Sequence, residues 1–122
     1  MISILVVDDE QSMRDFLKIM LKKEGYQVQT AGNGDMALSS LKEGSFDLVI
    51  SDIRMPDMRG DEVLSYLKAN VLFKDIPVIM LSSEDSTSER IKFLDGGAAD
   101  YIVKPFNPLE LKVRILKIIG KA

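Results

Sequence analysis

The segment FDLVISDIRMPDMRG, residues 46–60, restricts what this chain can fold into more than any other stretch. Leu48, Val49 and Ile50 run together with no polar residue between them. A strand with one wet face would alternate apolar and polar side chains. An unbroken run this short marks a strand buried on both faces, as in a parallel sheet. The run closes on Ser51 and Asp52, and a loop carrying Pro56 and Gly60 leads away. In open α/β sheets ligands and reactions gather at the carboxyl ends of the strands. Asp52 stands at such an end, where a carboxylate can work. By itself such an aspartate more often merely caps or turns the chain.

Similar runs recur along the chain. Residues 2–7 (ISILVV) end on Asp8, Asp9 and Glu10; residues 78–81 (VIML) follow Pro77 and end on Ser82 and Ser83. Residues 101–103 (YIV) lead into Lys104, Pro105 and Phe106. Residues 26–31 form a weaker strand, with Tyr26, Val28 and Thr30 alternating against Gln27 and Gln29. Helical spacing fills the intervals. Met13, Phe16, Leu17, Met20 and Leu21 mark a first helix, with Lys22 and Lys23 suited to its last turn and Gly25 to its stop. Met36, Ala37, Leu38 and Leu41 mark a second after Asn33, and Val63, Leu64 and Leu67 a third. Ser86 to Glu89 has the form of a capping box before a polar fourth helix. Ile91 and Leu94, with Phe93 as a third candidate, are what that helix has to bury. Asn107, Pro108 and Glu110 open a fifth, whose apolar side is read as Leu109, Val113, Leu116 and Ile118 or Ile119.

Five strands alternating with five helices predict a doubly wound (βα)5 α/β sandwich with right-handed crossovers. The expected parallel sheet is flavodoxin-like, in the order 2-1-3-4-5. That order brings Asp8, Asp9 and Asp52 together at the switch point between the first and third strands. A chain of 122 residues suits one domain, here 1–122.

Composition removes several chemistries. The chain has no cysteine, so neither a disulfide nor a thiolate metal site is available, and no histidine to act as base, zinc ligand or phosphodonor. Sixteen basic residues against 19 acidic ones give a net charge of -3, with no basic block, so direct nucleic-acid binding by this segment is not expected. No apolar stretch approaches membrane-spanning length and the N-terminus lacks the form of a signal peptide. The expectation is a cytoplasmic protein.

The clustered acids point to a cation. Carboxylates about 5 Å apart repel by about 3 kcal/mol per pair at an effective dielectric near 20. A hard divalent ion relieves this in a solvent-open site, and Mg²⁺ favours carboxylates, a backbone carbonyl and water. Asp52 could then aim one oxygen outward as the nucleophile of an aspartyl phosphate. At two other strand ends Ser82 offers a hydroxyl and Lys104 an ammonium able to pair with a phosphoryl oxygen.

Four pieces in this order, VVDDE, SDIRMPDMRG, MLSSE and GAADYIVKPF, resemble the receiver domain of two-component response regulators, over essentially the whole chain. The resemblance implies that Asp8, Asp9 and Asp52 hold Mg²⁺ with the backbone carbonyl of Arg54. Asp52 would accept a phosphoryl group from a sensor histidine kinase, a histidine phosphotransfer protein or a small phosphodonor. Ser82 and Lys104 would bind the phosphoryl oxygens, with Lys104-Pro105 a cis peptide. The implied role is a signalling switch rather than a turnover enzyme, limited to self-phosphorylation and autodephosphorylation. It also implies that Ser82 and Tyr101 move together, Tyr101 following Ser82 inward. Serine at 82 departs from the family's commoner threonine; it keeps the hydroxyl and loses the stiffness of a β-branched side chain.

Arg54 and Glu84, each two residues beyond a site residue, are expected to rim the pocket and tune phosphoryl lifetime. The face of the fourth helix, fifth strand and fifth helix carries Arg90, Lys92, Asp100, Glu110 and Arg114. This mixed-sign set suits a two-fold self-contact, so a homodimer or a docked partner is expected there. Three other readings are weaker. A flavodoxin-like cofactor module needs a glycine- and hydroxyl-rich loop after the first strand, where this chain has three acids that repel an anion. An Asp-nucleophile phosphatase would carry Asp-x-Asp, whereas Asp8 and Asp9 are adjacent. A receiver-like scaffold without phosphorylation does not need Asp52, Lys104 and both metal acids.

Overall fold

The computed structural model describes residues 1–120. Five strands, β1 (Ser3–Val7), β2 (Gln27–Ala31), β3 (Leu48–Asp52), β4 (Val78–Ser82) and β5 (Asp100–Val103), alternate with five helices. The helices are α1 (Gln11–Lys23), α2 (Gly34–Glu43), α3 (Gly60–Ala69), α4 (Thr87–Asp95) and α5 (Pro108–Ile119). All strand pairs are parallel and the sheet order is β2-β1-β3-β4-β5. The expected (βα)5 order is therefore the observed one.

The two-residue period of the strands divides their side chains between two cores. Leu5, Val7, Val49, Val78, Met80 and Tyr101 pack with Ala37, Leu41, Val63, Leu67 and Phe93 from α2, α3 and α4. Ile4, Val6, Ile50, Ile79, Leu81 and Ile102 pack with Leu17, Leu21, Leu111 and Ile115 from α1 and α5. Both faces are dry, which is why β3 and β4 carry unbroken apolar runs. The edge strand β2 leaves Gln27 and Gln29 in solvent, and its sequence alternates accordingly.

Helix ends follow local chemistry. The Asn33 side chain accepts the Met36 N–H at 2.8 Å to open α2, and Asn107 accepts the Leu109 N–H at 2.9 Å to open α5, with Pro108 as its first residue. After α1, Gly25 takes a positive φ of 92°, which a side-chain-bearing residue adopts at a cost.

The helix faces differ from the sequence reading in four places. In α4, Phe93 is the buried residue, while Ile91 and Leu94 are 60% and 41% exposed. The nine-residue helix buries one narrow stripe, and Phe93 fills it against the Tyr101 ring, 6.1 Å away between centroids. In α5, Leu111 and Ile115 are buried, while Leu109, Val113 and Leu116 lie exposed. The sequence offers two stripes of identical spacing, one starting at Leu109 and one at Leu111, about 200° apart around the helix. Only docking on β1, β3 and β4 selects between them. Phe16 and Met36, read as core, are also exposed; Phe16 rests instead against Phe106 with ring centroids 6.4 Å apart.

Candidate functional site

Parallel strands place all their carboxyl ends on one edge, so the residues ending β1, β3, β4 and β5 converge there. The loop beyond Asp52 turns back tightly, with the Gly60 N–H donating to the Ile53 carbonyl at 2.7 Å. A Cβ at position 60 would meet the Asp52 carbonyl oxygen and Ile53 Cα at 2.8 Å. Glycine lets α3 start directly beside the strand end that carries Asp52.

Carboxylate oxygens of Asp8, Asp9 and Asp52 lie within 4.8 Å of one another. Asp8 is fully buried and Asp52 nearly so, while Asp9 is exposed, so the cluster opens to water on one side. Lys104 reaches in from the end of β5. Its Nζ donates to Asp8 Oδ2 at 2.9 Å and stands 3.6 Å from Asp52 Oδ1. Asp52 Oδ1 also accepts the Ile53 N–H at 2.8 Å, and Asp8 Oδ1 accepts the Glu10 N–H at 2.9 Å. Behind Asp8, the Arg14 guanidinium donates to its carbonyl at 2.7 Å.

Burial pushes the Asp52 carboxyl up from its usual range and Asp8 adds to this, against the lowering pull of Lys104 and two backbone N–H groups. Burial acts to lower Lys104, but the bond to Asp8 and the charges of Asp8, Asp52 and Glu10 overcome it and hold the ammonium above its ordinary value. Lysine is therefore charged at neutral pH. The donor set is all oxygen, two of the three carboxylates are held by protein N–H groups, and one side is wet. This fits a hard divalent cation that keeps several waters.

The remaining predicted residues lie on or just beyond β3, β4 and β5. The backbone N–H of Lys104 donates to the Ser82 carbonyl at 2.6 Å, tying the ends of β4 and β5 together. The Lys104-Pro105 peptide is cis. Arg54 and Glu84 form an ion pair with each other, both partly in solvent. Ser82 is buried; its hydroxyl accepts the Glu84 N–H at 3.0 Å and donates to Glu89 Oε1 at 3.1 Å. Tyr101 is buried with its ring turned inward, and its hydroxyl reaches the same Glu89 oxygen at 2.8 Å and the Glu84 carbonyl at 3.0 Å. Sequence reasoning assigned Glu89 to a capping box. The Ser86 half of that box exists, since Ser86 accepts the Glu89 N–H at 3.2 Å, but the Glu89 side chain turns to Ser82 and Tyr101 instead. Its spacing of seven residues from Ser82, across a loop and one helical turn, was the signal available.

Asp57 was also missed: its carboxylate accepts the Gly34 and Asp35 N–H groups at 3.0 Å each, fastening the loop after Asp52 to the start of α2. These two bonds hold its acid below the usual carboxylate range. On the α4–β5–α5 face most charges are satisfied within the chain. Arg114 holds both oxygens of Asp100 at 2.8 Å and Glu110 at 2.9 Å, and Lys92 turns to Asp61 of α3 at 3.4 Å. Exposed Ile91 and Leu94 on one side of β5, and Leu109, Val113 and Leu116 on the other, are apolar. A groove of about 750 Å³ lies at the other end of the sheet, lined by Met1, Ser3, Gln27 and Phe46 among others, and holds none of these chemical groups.

Comparison with known proteins agrees with this geometry. The family model described as the response regulator receiver domain matches residues 4–116. The sensory transduction protein RegX3 of Mycolicibacterium smegmatis is 36% identical over 121 residues, covering 99% of this chain and 52% of RegX3. The chain spans about half the length of the curated relatives it matches. Among solved structures, the chemotaxis response regulator CheY4 of Vibrio cholerae superposes with a TM-score of 0.91 at 35% identity, covering 97% of this chain and 98% of that one. The response regulator TrrA of Thermotoga maritima, in complex with Mg²⁺ and BeF, gives 0.85 at 41% identity, covering 97% and 99%.

Proposed function

The chain belongs to the response regulator receiver domain family, and from that membership we propose that Asp52 is the phosphoacceptor of a two-component relay. The observation that carries the proposal is the gathering of the Asp8, Asp9 and Asp52 carboxylates within 4.8 Å with Lys104 against two of them. A bound Mg²⁺, held by Asp8, Asp9, Asp52 and the Arg54 carbonyl, would neutralise charge on the transferring phosphoryl oxygens. The chain's own residues do the rest. A carboxylate oxygen of Asp52 attacks phosphorus, the phosphorus–nitrogen bond of a phosphohistidine donor breaks, and the donor imidazole leaves with the electron pair and takes up a proton. Lys104 pairs with one phosphoryl oxygen and the Ser82 hydroxyl donates to another. Water later attacks the acyl phosphate, returning the Asp52 carboxylate and inorganic phosphate.

In this reading the donor is a sensor histidine kinase or a histidine phosphotransfer protein, and this segment does not touch nucleic acid. Among the described residues no helix is long and apolar enough to cross a membrane. The added phosphoryl charge beside Ser82 and Lys104 repacks the α4–β5–α5 face, which then pairs with a second copy or docks a partner. Exposed Ile91, Leu94, Leu109, Val113 and Leu116 supply the apolar area for that contact. Intact-mass measurement after treatment with acetyl phosphate and Mg²⁺ tests the core of the reading. One base-labile phosphoryl group is expected on the parent and none on Asp52→Asn; equal labelling of both would place the acceptor elsewhere.

A further inference from the structure

One carboxylate outside the acid cluster touches both Ser82 and Tyr101. Glu89 sits in the first turn of α4, partly buried, and a single oxygen, Oε1, accepts from the Ser82 hydroxyl at 3.1 Å and, at 2.8 Å, from the Tyr101 hydroxyl, whose one proton it shares with the Glu84 carbonyl at 3.0 Å. Ser82 already accepts the Glu84 N–H at 3.0 Å, so its one proton is directed at Glu89. A hydroxyl with one proton cannot give it fully to two anions. Whatever binds Ser82 at the Asp52 site must take that proton from a carboxylate, and hydrogen bonds to carboxylates are among the stronger ones.

We propose that Glu89 is a positioning residue that withholds the Ser82 hydroxyl from the Asp52 site, so that a phosphoryl group gains Ser82 only by displacing it from Glu89. The inference rests on the phosphoacceptor reading of Asp52. It makes the resting position of Ser82 a held one. Because Oε1 also holds Tyr101, displacement removes one of the two donors on that oxygen and brings a second negative group toward Glu89. The Tyr101 ring, packed 6.1 Å from Phe93 of α4, is then the residue whose environment changes. The path from Asp52 to α4 therefore runs through Ser82, Glu89 and Tyr101, each in hydrogen-bond contact with the next from Ser82 onward. The bond from position 89 to the Ser86 cap is made by the backbone N–H, at 3.2 Å, and does not use the carboxylate.

The test is calorimetric titration of the full chain with beryllofluoride in saturating Mg²⁺, using the parent, Glu89→Gln and Glu89→Ala. Loss of one charge-assisted hydrogen bond on the competing side should tighten binding about tenfold in Glu89→Ala. Glu89→Gln, whose amide oxygen still accepts but carries no charge, should fall between that variant and the parent. Tyr101→Phe removes the other donor on Glu89 Oε1 and leaves Ser82 held harder, so it should weaken binding roughly threefold or more in the parent and less than about twofold in the Glu89→Ala background, where that oxygen is gone. A helix merely weakened at its start would not show that coupling. If Glu89→Ala has no cooperative thermal transition, the isosteric Glu89→Gln decides. Binding to the parent with both Glu89 variants equal or weaker would overturn the role of Glu89 alone. No beryllofluoride binding by the parent would overturn the acceptor reading together with it.

Discussion

Lys104 leans on Asp8 more closely than on Asp52: its Nζ is 2.9 Å from Asp8 Oδ2 and 3.6 Å from Asp52 Oδ1. The ammonium thus shares the carboxylates that a divalent cation would use. Lysine and metal are competitors for the same negative charge before they are partners around a phosphoryl group.

Removing the competitor should favour the metal. Lys104→Met keeps the length of the stem and drops the charge, so Mg²⁺ affinity should rise several-fold, up to about tenfold for a unit charge near 4 Å in a partly screened site. Calorimetric titration reads this directly. Affinity equal to or below the parent's would mean that Lys104 and the metal do not share the site.

Asp8 and Asp9 should part company in stability. Both substitutions to asparagine should weaken Mg²⁺ binding and slow phosphorylation. Asp9 is exposed and unpaired with Lys104, so Asp9→Asn relieves repulsion and unfolding stability in the absence of metal should hold or rise. Asp8 is fully buried and bonded to Lys104, so Asp8→Asn should cost about 1–3 kcal/mol, the loss of a hydrogen bond to a charged group. Urea unfolding with chelator present distinguishes the two.

Asp52 gives a pH signature. Burial raises its carboxyl above the usual 3.8, against the pull of Lys104, so the folded chain binds that proton more tightly than the unfolded chain does. Ionised Asp52 is therefore destabilising, and the penalty lifts as pH falls through the raised value toward 3.8. Asp52→Asn should be the more stable protein at pH 7, with an advantage that shrinks on acidification. A stability gap independent of pH from about 7 down to 3.8 would contradict the burial of this charge, since the penalty lifts between the raised value and 3.8.

The helix faces can be checked by paired truncations. Phe93→Ala should cost about 3 kcal/mol or more and Leu111→Ala about 2–5 kcal/mol, because each leaves a cavity in a closed core. Ile91→Ala and Leu109→Ala, on the exposed stripes, should stay within about 0.5 kcal/mol. Reversal of either pair in chemical denaturation would rotate the helix concerned.

The rim pair should act on rate rather than on stability. Arg54 and Glu84 are 65% and 37% exposed on their side chains, and a pair that wet contributes about 0–1 kcal/mol. Arg54→Ala and Glu84→Ala should leave unfolding almost unchanged. In the proposed reading the pair hinders the attacking water, so both substitutions should alter phosphoryl decay at Asp52 by roughly twofold or more. Decay followed by intact mass would show it.

The strands were legible because a strand dry on both faces has little choice of composition, as LVIS before Asp52 and VIML before Ser82 show, while their order followed from the commoner arrangement of small doubly wound sheets rather than from the residues. Alternation with helices then put Asp8, Asp9, Asp52, Ser82 and Lys104 on one edge, since parallel strands share their carboxyl end. Helix orientation was not legible in the same way. In α5, Leu109-Val113-Leu116 and Leu111-Ile115-Ile118 have the same spacing, and only contact with the sheet decided that the second set faces the core, with Leu111 and Ile115 buried and Ile118 partly so. In α4 one phenylalanine outweighed two aliphatic residues because it met Tyr101. Polar pairing was the least legible, because it joins residues far apart in sequence through contacts of about 3 Å. Residue type alone could bring Lys104 to the acids, but not choose Asp8 as its nearer partner. Nor could it turn Glu89 from the Ser86 cap toward Ser82 and Tyr101. Composition and periodicity act one element at a time; these choices were made where four elements meet.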